Sequence, residues 1–317
     1  MSEQNNVEVV ISKALQIPGI KVNRDEFLSK EFDNESTDTL KQILDIGPVD
    51  TGISKSIIRG KANKIIANRT VFSSGASFIS GLPGGLAMAA AIPADMIQYY
   101  AVALRLAQEI AYLYGEEDVF KNGGVDDESV HNRLILYLGV MLGATGASQG
   151  IKMLSSAVGK QLAKKLPQKA LTKTFYYPII KSILKMFGKQ LTKETFGKGV
   201  GKAIPIVGGV FAGGITAATM PKMAKNLMNS LETAKYDYTS DDYQRDYDIL
   251  SRQFDIDTDE LTVDVDIEKN NNADSVKRTA SMSENLEAVI KAKQMLDDGI
   301  ITESEFNAIK LQMLNFN

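Results

Sequence analysis

Three stretches of this chain carry no charge at all, and each is interrupted by glycine or proline. Residues 70–94 read TVFSSGASFISGLPGGLAMAAAIPA, residues 134–151 read LILYLGVMLGATGASQGI, and residues 203–221 read AIPIVGGVFAGGITAATMP. A membrane-spanning helix needs about 20 apolar residues, and all three runs come close to that length. They are, however, diluted with Gly, Ala, Ser and Thr, and they lack the flanking aromatic belts of a constitutive span. Small side chains let helix backbones approach closely. Two readings stay open: tightly packed buried helices, or helices that pack in water and insert conditionally into a bilayer. Either way the expected fold class is mainly α, a compact helical bundle with Gly/Ala-rich buried helices or hairpins.

The rest of the composition narrows the chemistry. Among 317 residues there is no Cys and one His, His131. Disulfides, thiolate metal sites, a cysteine nucleophile and a multi-His metal site are thereby excluded. The start, MSEQNNVEVVISKAL, lacks the basic beginning and apolar run of a signal peptide, and Ser2 stands where myristoylation would need Gly. A reducing, cytoplasmic setting is the expectation.

The net charge of -3 conceals an asymmetry. Residues 160–202 hold eleven Lys and one acid, Glu194, whereas residues 232–269 hold thirteen acids and four bases. A basic middle beside an acidic flank points to an anionic partner, to an internal clamp, or to both. Within the basic segment, PIIKSILKMFGKQL predicts an amphipathic helix. Ile179, Ile180, Ile183, Leu184 and Phe187 share one face, and Lys181, Lys185 and Lys189 line another at four-residue spacing. Lys181, Lys185 and Lys189, with Ile180, Ile183, Leu184 and Phe187, are therefore the candidate membrane-contact set. No Arg occurs in residues 160–202, and readers of nucleic-acid bases favour Arg, so no nucleic-acid partner is expected. If the acidic flank covers the lysines, neutralising Asp241, Asp242 and Asp246 should raise lipid binding.

Elsewhere the signals are local. Leu40, Ile43 and Leu44 show helical spacing, as do Ile53, Ile57 and Ile58, with Gly47-Pro48 between the two groups. Ile97, Ala101, Leu104, Ala107 and Ala111 share a helical face that Gly115 is placed to end. Asp95, the acid at the edge of an apolar stretch, is either a helix-start residue that complements the dipole or a protonation switch for insertion. His131, in DDESVHNR, reads as a surface or helix-start residue. Gly197-Lys198-Gly199-Val200-Gly201-Lys202 fails the phosphate-loop pattern, since Phe196 stands where Gly is required and Ala203 where Ser or Thr is. Asp255, Asp257 and Asp259 fail the calcium-loop pattern, with Glu260 where Gly is needed. No cofactor or metal is expected.

The C-terminal 34 residues predict a helical hairpin. Leu286, Val289, Ile290 and Leu296 form one apolar face, Asp297-Asp298-Gly299 makes the turn, and Thr302 with Glu305 forms a capping box. Phe306, Ile309 and Leu314 supply the second face. Leu286, Ile290, Leu296, Phe306, Ile309 and Leu314 are its candidate docking residues, toward the main domain, a second copy or another protein.

Two of these blocks carry a family resemblance. SGLPGGLAMAAAIPADMIQYYAVALRLAQEIAYLYG (residues 80–115) and GKAIPIVGGVFAGGITAATMPKMAKNL (residues 201–227) resemble the two signature blocks of EcsC-family proteins, in the expected order and with a basic segment between. Gly299-Ile300-Ile301-Thr302, followed by Glu305-Phe306 and Lys310, resembles the SHOCT hairpin. The first resemblance implies a helical protein linked to membranes, with no settled reaction; the second implies oligomerisation or docking. The domain division that follows is an N-terminal helical extension (1–39), an EcsC-like helical domain (40–235), an acidic flank and linker (236–283) and a SHOCT-like hairpin (284–317). The functional expectation is a membrane-associated or membrane-active module, cytoplasmic and peripheral to the inner face of the membrane. The alternative is a soluble scaffold that binds a membrane-protein partner and oligomerises through its hairpin. No nucleophile–base pair or cofactor fingerprint supports an enzyme.

Overall fold

The computed structural model describes residues 3–73, 94–121, 123–124, 127–165, 176–190 and 211–254. These form eleven α-helices and one π-helical turn, with no strand among the described residues. The chain divides into two units, Met1–Leu261 and Thr262–Asn317. Every described residue belongs to the first. The expected hairpin, with Leu286, Ile290, Leu296, Phe306, Ile309 and Leu314, lies outside the described residues, as do Gly197–Lys202 and Asp255, Asp257 and Asp259.

The helices are α1 (Glu3–Leu15), α2 (Arg24–Glu31), α3 (Thr37–Ile46), α4 (Lys55–Ser73), α5 (Ala94–Leu113), α6 (Glu128–Met141), α7 (Ala147–Ser155), α8 (Ala157–Lys165), α9 (Tyr177–Gln190), α10 (Phe211–Glu232) and α11 (Ser240–Phe254). Short polar side chains start several of them. Asn23 accepts a bond from the Glu26 amide at 3.0 Å, Ser36 from the Thr39 amide at 3.1 Å, and Asp127 from the Ser129 amide at 2.8 Å. Thr239 and Asp242 cap α11 reciprocally, each side chain accepting from the other's amide, at 3.2 and 3.0 Å. Gly115 closes α5 in a Schellman turn: its amide donates to Tyr112 O and the Glu116 amide donates to Ala111 O, both at 3.0 Å. Its φ of 78° suits glycine. Gly47, at φ 93°, is hemmed in as well as left-handed, because a Cβ there would lie 2.9 Å from the Gly115 Cα.

At the centre runs α5, packed against α1, α2, α4, α6 and α10. From Tyr100 to Tyr114 only Arg105 escapes full burial. The face predicted from Ile97, Ala101, Leu104, Ala107 and Ala111 is buried. So is nearly all the rest of the helix, because neighbours surround it. Around it, α10 packs on α4, α5, α6 and α7, while α9 packs on α1, α6 and α7.

Four segments of the sequence gain detail in the structure. Within residues 1–39, Val7, Val10, Ile11 and Ala14 of α1 join the common core, and α1 packs on both α5 and α9. The uncharged run at 134–151 is two helices, α6 and α7, parted by a turn in which Gly143 and Gly146 take positive φ. Pro221, the last residue of the third uncharged run, sits inside α10, where it forgoes one backbone bond. Within the acidic flank, residues 240–254 form α11, which packs on α7 and α8 and buries Leu250. Among the described residues, no helix is long and apolar enough to cross a membrane.

Candidate functional site

The lysine-bearing helix α9 has the two faces its sequence predicts, but the apolar face has a different partner from the one expected. Ile179, Ile180, Ile183, Leu184 and Phe187 are all buried in the common core. Glycine makes room for two of them. A Cβ on Gly139 of α6 would meet Ile183 Cδ1 at 2.5 Å, and one on Gly150 of α7 would meet Ile179 Cδ1 at 2.7 Å. The ring of Phe187 lies 5.4 Å from that of Tyr100, tilted by 47°. Ile180, Ile183, Leu184 and Phe187 thus hold α9 to the body and are covered by protein, which corrects their placement on a membrane-facing surface. The periodicity was right and its destination was not, because an amphipathic helix shows the same pattern whether it faces a core or a bilayer.

Lys181 and Lys185 lie on the opposite, exposed face. Neither forms an ion pair with a described residue. The side chain of Lys189, the next in the row, lies outside the described residues. Tyr177, four residues before Lys181, continues the same stripe and is 58% exposed.

Most other charges near the core are committed to the fold. Glu109 is fully buried on α5. Arg69 of α4 grips it with two bonds, at 2.8 and 2.5 Å, and Arg105 adds a third at 3.0 Å. Beside it, the buried Gln108 accepts from the Val22 amide at 3.0 Å and donates to Ile20 O at 3.1 Å. This ties the segment after α1 to the central helix. Glu232, at the end of α10, accepts from Arg59 at 2.9 Å and from the Tyr114 hydroxyl at 3.0 Å, with Lys55 at 3.7 Å. Burial, then the Glu232 charge, push the Tyr114 phenol up. At the turn after α5, burial opposes ionisation of Glu116, but Lys235 at 2.8 Å and the charges of Lys160 and Arg133 outweigh it and hold the carboxyl below its usual range.

Two of the three acids expected to clamp the lysine segment have other partners. Asp246 is buried, pairs with Lys152 at 2.7 Å and accepts from the Tyr238 hydroxyl at 2.9 Å. Asp242 caps α11 and pairs with Arg245; the Thr239 amide and hydroxyl and then Arg245 bring its pKa down to about 2. Asp241 is exposed. None of the three pairs with a described lysine of residues 160–202.

Asp95 falls in the first turn of α5, and its side chain lies outside the described residues. His131 is half-buried in the first turn of α6. No group of three or more His, Asp or Glu is placed to hold a metal ion among the described residues. Sequence reasoning missed Glu109 and Glu232. The signal for Glu109 was present: with Arg105 it makes an i,i+4 pair of charges in a helix whose only other charge is Asp95.

No protein-family model, curated protein or solved structure matches the chain.

Proposed function

We propose that this protein is a peripheral membrane-associated helical module, EcsC-like, that docks on anionic lipid at the inner face of the membrane through its lysine-rich segment. The observation that carries this reading is the pairing on α9 of an exposed face bearing Lys181 and Lys185 with an apolar face buried in the core. The eleven lysines of residues 160–202 make the segment locally basic in a chain whose net charge is negative. Each lysine near an anionic leaflet contributes about 1 kcal/mol.

Magnitudes favour docking with the fold intact. Swinging α9 into lipid would uncover its partners on α1, α6 and α7. Exposing a single large apolar side chain costs about 1.5–3 kcal/mol. Two such exposures exceed what Lys181 and Lys185 contribute together, so α9 stays seated at first contact. Insertion of the Gly/Ala-rich segments is a later step that needs further stabilisation. The SHOCT-like hairpin would supply self-association or a protein partner.

Liposome flotation tests this, with and without phosphatidylglycerol, across salt concentration, with dye leakage read in parallel. The reading expects flotation only with anionic lipid, lost at high salt, and no leakage at first contact. Equal flotation on neutral vesicles would refute electrostatic docking. No flotation under any condition would leave the soluble scaffold that binds a membrane-protein partner.

A further inference from the structure

Among the described residues five large apolar side chains stand out from the surface: Ile46, Ile57, Leu154, Tyr177 and Ile249. Tyr177 is the most exposed of them and the one aromatic, at 58%. It opens α9, and Tyr177, Lys181 and Lys185 follow at four-residue intervals, so they form one stripe along the helix. The stripe is about 12 Å long at 1.5 Å per residue. On the opposite side of the helix Ile179, Ile180, Ile183 and Phe187 are locked into the core, so the stripe cannot turn inward.

We propose that Tyr177 is the interfacial anchor of the docking face, seated among the headgroups of an anionic bilayer while Lys181 and Lys185 meet lipid phosphates. This assignment rests on the docking reading above and adds its depth and orientation. A tyrosine has an apolar ring and a polar hydroxyl, a combination that settles at the headgroup level of a bilayer. Flanking lysines carry apolar stems and place their ammonium groups at the same level. Charge complementarity selects the occupant, because an apolar protein surface gains nothing from the two ammonium groups, whereas an anionic leaflet neutralises both. The helix then lies flat on the surface, with one aromatic ring entering and the core undisturbed.

The chain contains no tryptophan, so Tyr177→Trp gives a single-site reporter without background. The position is exposed, and the substitution leaves the core intact. The variant is mixed with vesicles of phosphatidylcholine and phosphatidylglycerol, and flotation and Trp emission are read on the same samples. The proposal expects flotation like the unaltered chain, a blue shift of emission on binding, and quenching by lipids brominated near the headgroup. A variant that floats while its emission stays that of the free protein overturns the anchor and leaves electrostatic docking standing. A variant and parent that both fail to float overturn the docking reading, and the anchor with it. As a second measure, Tyr177→Ala should lower vesicle affinity several-fold without changing its slope against log salt. A changed slope with unchanged affinity at low salt would contradict the assignment.

Discussion

Two charged regions of this molecule use the same residue types to opposite ends. Around α5 and the end of α10, Glu109 and Glu232 are buried and gripped by Arg69, Arg105, Arg59 and Lys55, at distances from 2.5 to 3.7 Å. On α9, Lys181 and Lys185 face outward without a described ionic partner. A carboxylate inside a core must be paired, since an uncompensated buried charge is strongly destabilising. Those pairs are therefore spoken for by the fold: they join α4 to α5 and α4 to α10, and they have no charge to offer a ligand. Exposed lysines cost the fold little, and their attraction remains available to a partner. Charge density in the sequence does not separate the two cases; the fold does, through what each charged group meets.

The interior side of this contrast predicts the largest effect. Replacing both Arg69 and Arg105 with Ala leaves Glu109 buried without a cation, and should cost about 3–5 kcal/mol in urea denaturation. A loss below about 1 kcal/mol would show that water reaches Glu109 and that the interior is less different from the surface than the structure implies.

The seat of α9 comes next. Ala at Gly139 gains up to about 1 kcal/mol in helix propensity but forces Ile183 aside, an overpacking cost of about 1–3 kcal/mol. A net loss of about 1 kcal/mol is expected, and in a double-mutant cycle with Ile183→Ala the double variant should lose less than the sum of the two single losses. Gly150→Ala should cost less, because there only the tip of Ile179 lies closer than 3.8 Å. Equal stability of all these variants would mean that α9 is not held where it lies.

A smaller effect concerns acid. The folded pKa of Glu116 is depressed, so its contribution is complete above its unfolded value of about 4.3 and is lost as pH falls through the lower folded value. With Lys235→Gln, burial dominates, the folded pKa rises, and loss begins at higher pH. Acid titration by circular dichroism should show the variant unfolding first; coincident acid limbs would remove Lys235 from that role. Smallest of all is the stability change on the outer face. Lys181→Gln with Lys185→Gln should stay within about 0.5 kcal/mol of the parent, as exposed substitutions usually do.

The helical class was legible from residue spacing and from the small side chains of the uncharged runs, and so were the two faces of α9. The target of its apolar face was not, since periodicity specifies a buried side and not what buries it. The buried ion pairs were hidden for another reason. Arg69 and Glu109 stand 40 residues apart and Arg59 and Glu232 stand 173 apart, and no local pattern links them. Pro221 closes an uncharged run, and only the packing of α10 against four helices reveals that one helix continues through it. The glycine turn that splits 134–151, at Gly143 and Gly146, is masked in the sequence by the run's uniform lack of charge.

The most direct measurement compares two charge removals of equal size on vesicles containing phosphatidylglycerol. Lys181→Gln with Lys185→Gln strips the α9 stripe, and Lys222→Gln with Lys225→Gln removes two exposed lysines of α10. At low salt the first pair should lose roughly 30-fold in partitioning, from about 1 kcal/mol per lysine, while the second stays near the parent. Equal losses from both pairs, or none from either, would contradict a docking face on α9.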